Sequence, residues 1–357
     1  MVLGVRELIP HSKPTLGKDD AEAVKKTVLS GHAGMGQKTK EFENALARYV
    51  GVKEAAAVSS GTAALHLALL SLGVGRGDEV IMPSFVCPAL LDAALYVGAK
   101  PVVVDVNEYD CNISAKEARA KTSARTKAII VPHLFGLPAE LDELLELGIP
   151  VIEDCAHSLG ARYKGKRVGS FGEASIYSFY ATKMICAGEG GMVASDNLEL
   201  IERVRDLRDY TGGKSFALRF NYKMSDLNAS LGLSQLKKLD SFVRERKRIA
   251  ALYQKGFSNF PLVLPREFLD REHVFYRYVV RTKYPEAFRK RMLEKGVACG
   301  YGVREPLHNF LSLKPSHFPA SEKLASSVVS IPIYPSLSKQ EAREIIEAVE
   351  ETCSDLS

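Results

Sequence analysis

The period of apolar and polar positions changes along the chain, and those changes outline a fold. Runs at residues 55–58, 80–82, 101–104, 128–131 and 150–152 are short and uniformly apolar, which predicts strands buried on both faces. Between them, residues 62–72, 88–97, 115–120 and 139–147 carry helical spacing. Strands alternating with helices in this way predict βαβ crossovers and a mostly parallel sheet covered by helices. Runs at 173–179 and 192–194 add further strands. After about residue 197 the pattern lengthens. Residues 198–209 and 226–248 read as helices, the second with Leu227, Leu231, Leu236 and Leu239 on one stripe. A strand at 274–281 and helices at 284–295 and 339–350 then predict a separate α+β unit. The resulting division is a large domain, 1–240, and a small C-terminal domain, 241–357. No internal repeat or low-complexity tract is present.

Composition narrows the class. The 357 residues are 46% hydrophobic and 25% charged, with 27 Gly and 16 Pro, which excludes disordered, collagen-like and disulfide-scaffold chains. The net charge of +5 comes without a basic run, so no nucleic-acid or membrane surface is expected, while small anions remain suitable ligands. Cys87, Cys111, Cys155, Cys186, Cys299 and Cys353 show no CxxC or zinc spacing, and no metal is expected. Residues 1–10 lack a basic leader and an apolar core, which with the scattered thiols predicts a cytoplasmic protein. The uncharged stretch 58–75 is broken by Ser59, Ser60, Gly61, Thr62, His66 and Ser71, so it reads as a loop and buried helix rather than a membrane span.

Several chemistries can be set aside. Residues 160–166 approach a P-loop, but Arg167 stands where a magnesium-holding hydroxyl is required, and no strand and helix frame the motif. No GxGxxG follows the first strand, and GxSxG and HExxH are absent. Three features remain. Ser59-Ser60-Gly61-Thr62 follows a strand and opens a helix, a place that suits a phosphate, although a plain helix cap reads the same way. Glu153-Asp154 ends a buried strand, where an acidic side chain faces a ligand crevice or simply caps a helix. Ser178 and Lys183 precede the glycine-rich run 188–191; a lysine there is either a solvated charge or a Schiff-base former. Taken together, a phosphate cradle, a strand-end carboxylate and a lysine are the parts needed to hold pyridoxal 5′-phosphate.

The same residues carry a family resemblance. From Phe42-Glu43 through SSGTAALHLAL, GDEVIMPSF, GAKPVVVDV, EDCAHSLGA and SFYATKMICAGEGGM to FNYKMSDLNASLGLSQL, the sequence resembles the DegT/DnrJ/EryC1/StrS sugar aminotransferases. These belong to the fold-type I pyridoxal phosphate enzymes. The resemblance implies an α/β fold with a large, mostly parallel mixed sheet and a smaller C-terminal α+β domain. It matches Lys183 to the cofactor-bearing lysine and Asp154 to the partner of the pyridine nitrogen. Gly61, Thr62 and Ser178 match phosphate-binding positions. Asn221 matches an asparagine that reaches the phosphate of the neighbouring subunit, which implies a homodimer with shared active sites. His157 stands where a glutamine usually bonds the cofactor's phenolic oxygen, and imidazole can donate the same bond. Cys87 stands where many members stack an aromatic ring on the cofactor, and Lys223 replaces an arginine, keeping the charge but losing the fork.

On the substrate side the resemblance points to residues 31–36, Glu189 and 301–308. Glu189 and His308 are the candidate contacts, His308 being equally at home as a structural residue. Gly302 and Val303 sit where the family often has tyrosine. No motif marks the second carboxylate-binding arginine that a small keto-acid acceptor would need. The implied activity is amino transfer from glutamate to a nucleotide-linked keto-sugar, a 4-keto-6-deoxyhexose before a 3-keto-hexose, for surface polysaccharide or secondary-metabolite sugars. Two alternatives stand beside it: a sugar dehydratase, whose known members replace the lysine with histidine, and a non-catalytic regulator. The intact Lys183, Asp154 and Ser178 argue against both.

Overall fold

The protein is described from a computed structural model covering residues 8–211 and 217–356. The chain start read above for a leader lies largely outside the described residues.

The apolar runs become the central sheet: β1 (Glu54–Val58), β2 (Glu79–Pro83), β3 (Lys100–Val104), β4 (Thr126–Pro132), β5 (Val151–Asp154), β6 (Ala174–Ser178) and β7 (Gly191–Ser195). Their spatial order is β1-β7-β6-β5-β4-β2-β3, with β7 antiparallel to both neighbours and every other pairing parallel. Side chains alternate between two cores. Ala55 and Ala57 of β1 face one, with Ile129 and Val131 of β4; Ala56, Val58, Ala128 and Ile130 face the other. Helices Gln37–Val50 and Asp226–Leu236 close the first face through Phe42, Leu46, Ala229 and Leu236. Helices Gly61–Ser71, Ala89–Tyr96 and Leu198–Leu207 close the second. With both faces dry, these strands have no polar side to display, which is why they read as unbroken apolar runs.

A second sheet is built from β8 (Tyr278–Arg281), β9 (Gly300–Tyr301) and β10 (Val328–Ile331), with β10 central and all pairings antiparallel. Helices Pro285–Glu294 and Lys339–Asp355 share its core. Helix Leu239–Gly256 joins the two cores: Leu239 and Phe242 belong to the sheet's first core, Ile249 and Tyr253 to that of the second unit. Ile9 also packs in the second unit, bridged to Val297.

Three elements differ from expectation. The single helix read over 226–248 is two, because buried Gln235 is bonded to Thr15, Asp20 and Cys186 and the chain turns directly after it. The helix read over 139–147 shrinks to Asp142–Leu145, since the Ala139 N–H donates to His133 Nδ1 and Gly148 ends the turn with φ 68°. The strand read from 274 begins at Tyr278, because Phe275 adopts φ 51°. Helices Lys18–Leu29 and Gln37–Val50 lay outside the predicted elements. Residues 160–166 form part of a small hairpin, Arg162–Tyr163 against Lys166–Arg167, which agrees with rejecting a P-loop. Among the described residues no helix is long and apolar enough to cross a membrane.

Candidate active site

Because β1, β2, β5 and β6 run parallel, their carboxyl ends meet at one edge of the sheet, and the candidate residues come from those ends. Helix Gly61–Ser71 starts just beyond β1. Ser60 caps it, accepting from the Ala63 N–H at 3.0 Å. The N–H groups of Gly61 and Thr62 and the hydroxyls of Thr62 and Ser178 bond to no protein group among the described residues. They leave a cradle of donors at the positive end of the helix dipole, which is the chemistry a phosphate dianion requires. The cradle depends on its glycines: a Cβ on Gly61 would lie 2.9 Å from Ser178 Cβ, and one on Gly191 would lie 2.2 Å from Ser60 O.

Asp154 ends β5, is 7% exposed, and accepts from the Ala156 N–H through Oδ1 at 3.0 Å. Its Oδ2 accepts no hydrogen bond from the described residues. Burial raises its carboxyl above the ordinary range, while Lys183 and His133 pull the other way. A carboxylate oxygen of a buried aspartate left without a protein donor fits a protonated ring nitrogen. Lys183, between β6 and β7, places Nζ 5.4 Å from the centroid of the Tyr276 ring. His157 stacks on that ring at 4.2 Å between centroids. Burial, then Lys183 and Arg277, hold its imidazole well below the usual value, so it is neutral near pH 7 and donates through one nitrogen only. Cys87 is an exposed residue just beyond β2; the protein packed around its sulfur, and then Asp154, raise the thiol's pKa, which keeps it protonated. The site therefore fits pyridoxal phosphate at its phosphate end, its ring nitrogen and its lysine.

Behind Asp154, Glu153 holds the strand end in place. Its carboxylate accepts from the N–H groups of Gly169, Phe171 and Gly172 and from His133 Nε2. His133 Nδ1 accepts from Ala139, which makes Nε2 the protonated nitrogen. His133, Glu153 and Cys155 have donor atoms within 4.8 Å of one another, but they are engaged with these partners rather than open to a metal. Despite burial, the bond from His133 and those from the backbone lower the Glu153 pKa from its model-compound value of 4.5. Its contribution to stability is thus complete above about pH 4.5 and is lost as pH falls through the lower folded value. Glu153→Ala, which orphans four donors, is expected to cost about 3–5 kcal/mol in urea unfolding at pH 7. A cost below about 1 kcal/mol would show that the network bears little of the strand's placement.

The other candidates are dispersed. His308 is fully buried, with Nδ1 2.6 Å from Ser84 Oγ and Nε2 2.9 Å from Glu322 Oε1, and its ring stacks on Phe318. That setting is a strut under the β2–Cys87 turn. Glu189 is exposed. Asn221 is exposed on the outer surface, bridged to Asp209, while Lys223 pairs with Asp209 at 2.6 Å. Two residues of the site were not singled out in the sequence: Tyr276, placed inside a strand candidate, and Arg277 beside it. No local pattern marks either.

Residues 14–350 match the sequence model of the DegT/DnrJ/EryC1/StrS aminotransferase family. The spore coat polysaccharide biosynthesis protein SpsC of Bacillus subtilis is 34% identical, the alignment covering 98% of each chain. The aminotransferase TlmJ from Streptoalloteichus hindustanus superposes with a TM-score of 0.92 at 31% identity, over 98% of this chain and 100% of that one. Spr1654 from Streptococcus pneumoniae, assigned as a sugar aminotransferase and solved in its PLP form, gives 0.93 at 26% identity, over 98% and 100%.

Proposed function

This chain belongs to the DegT/DnrJ/EryC1/StrS aminotransferase family, as a pyridoxal phosphate-dependent sugar aminotransferase, and we propose that it moves an amino group from glutamate to a nucleotide-linked 4-keto-6-deoxyhexose. The observation that carries the assignment is the meeting of Lys183, Asp154 and the Gly61–Thr62–Ser178 cradle at one sheet edge. The bound cofactor supplies an electron sink for the carbanion formed at the donor's α-carbon. Lys183 Nζ holds the cofactor at rest and, once freed, removes and returns the proton on the substrate carbon as general base and acid. The Asp154 carboxylate keeps the ring nitrogen protonated. The donors of Gly61, Thr62 and Ser178 neutralise the phosphate, neutral His157 bonds the phenolic oxygen, and Cys87 covers the ring without stacking.

The polysaccharide role of SpsC supports a product destined for surface polysaccharide. Asn221, exposed beside exposed Tyr210 and Leu218, supports a homodimer in which it reaches the partner's phosphate. A fully active monomer by light scattering would refute that arrangement. A large domain of 1–240, a small one of 241–357 and a cytoplasmic home, in keeping with six free thiols, complete the reading. The test of the substrate is the reverse reaction: 2-oxoglutarate with a panel of nucleotide-linked amino-sugars. Glutamate should form with 4-amino-6-deoxyhexoses. If it forms only with simple amino acids, the sugar assignment fails.

A further inference from the structure

Arg277 lies half-buried in the cleft, its guanidinium carbon 4.7 Å from the Tyr276 ring centroid. The same ring faces Lys183 Nζ at 5.4 Å. Three comparable arginines each hold a carboxylate: Arg208 with Glu43, Arg271 with Asp110 at 2.6 Å, and Arg281 with Glu108 at 2.7 Å. Arg277 has none among the described residues; its side chain meets only the Tyr276 hydroxyl, at 3.3 Å. Its surroundings add positive charge. Buried Arg246, bonded through Nη1 to the carbonyls of Phe275, Tyr276 and Ile333, likewise lacks an acidic partner.

A partly desolvated guanidinium near other cations and without a carboxylate of its own favours an incoming anion, and the cofactor phosphate already has its own donors at the opposite elements. The mount is rigid. The Arg277 N–H donates to Phe135 O at 3.2 Å, and Arg246 grips the carbonyl of the preceding residue. A planar fork held this way matches a carboxylate bidentately. In an amino donor, a carboxylate sits on the very carbon that Lys183 deprotonates. In a nucleotide-linked sugar, the diphosphate lies beyond the hexose ring from the reacting carbon. Proximity to Lys183 therefore selects the donor's carboxylate.

We propose that Arg277 is the residue that recognises a carboxylate of the amino donor. The inference rests on the aminotransferase reading, so its test uses a probe that needs no turnover. Glutarate, an unreactive dicarboxylate, is titrated calorimetrically into the holoenzyme, with UDP and dTDP as the competing oxyanion source. Arg277→Gln should weaken glutarate roughly 10- to 100-fold and leave UDP and dTDP unchanged. Arg277→Lys, which keeps the charge without the fork, should fall between. In single-turnover mixing with glutamate alone, the bleaching of the cofactor's visible band should slow in the same order. Unchanged glutarate affinity in Arg277→Gln overturns the proposal, and so does a loss confined to the nucleotides. Wild-type holoenzyme that binds glutarate through Arg277 but is bleached by no amino acid would instead sink the catalytic reading.

Discussion

Lys183→Ala should leave a folded, colourless protein whose turnover is lower by roughly 10⁴-fold or more. General acid–base catalysis alone is worth about 10²–10⁴, and this substitution also removes the covalent attachment. The fold should survive, because among the described residues Lys183 Nζ makes no ion pair or hydrogen bond and lies over the Tyr276 ring. Its melting temperature should stay close to that of the wild-type apoprotein. Borohydride reduction of the wild-type holoenzyme, followed by peptide mass mapping, should place the cofactor's added mass on Lys183. Mass on another lysine, or a yellow and active Lys183→Ala, would refute the assignment.

Asp154→Asn should bind cofactor yet lose roughly 10²–10³ of its turnover, since only a protonated ring accepts the carbanion's electrons well and a neutral amide cannot hold that proton in place. The substitution is nearly isosteric, and an amide oxygen can still accept from Ala156 N–H, so the loss isolates the charge. The apoprotein offers an independent check with the opposite sign. Burial raises the Asp154 carboxyl in the folded state above 3.8, so ionising it destabilises the fold above that folded value, and the penalty vanishes below pH 3.8. Apo-Asp154→Asn should therefore unfold at slightly higher urea than apo wild type at pH 7, with the gap closing as pH falls toward 3.8. Holoenzyme should show the reverse order, because the ring cation neutralises the buried charge. Near-normal turnover in the variant, or an apoprotein stability gap independent of pH, would count against the role given to Asp154.

The proposed cofactor half of the site is legible in the chain because each part is local. Ser60-Gly61-Thr62 is at once a strand end and a helix cap, Asp154 closes an apolar run, and Lys183 precedes a glycine-rich turn, so short-range chemistry signals each of them. The same locality explains why the seven central strands stand out: burial on both faces leaves composition little choice. Elements whose ends depend on distant partners are not legible in the same way. The break after Gln235 reflects bonds to Thr15 and Asp20, and the loss of the helix start at Ala139 reflects the claim of His133 on its N–H.

The chain by itself thus determined the sheet, and it marked Lys183, Asp154 and the Gly61–Thr62–Ser178 cradle as candidates, since these rest on periodicity and on short motifs. Tertiary structure alone decided that His308 lies inside against Ser84 and Glu322, that Glu153 anchors the strand bearing Asp154, and that the Tyr276 ring has both Lys183 and Arg277 beside it. The physical reason is the left-handed turn at Phe275 and the docking of this segment on Phe135 and Gly136. They carry two residues of the C-terminal unit across to an edge built by strands far earlier in the chain, a meeting that no local pattern encodes.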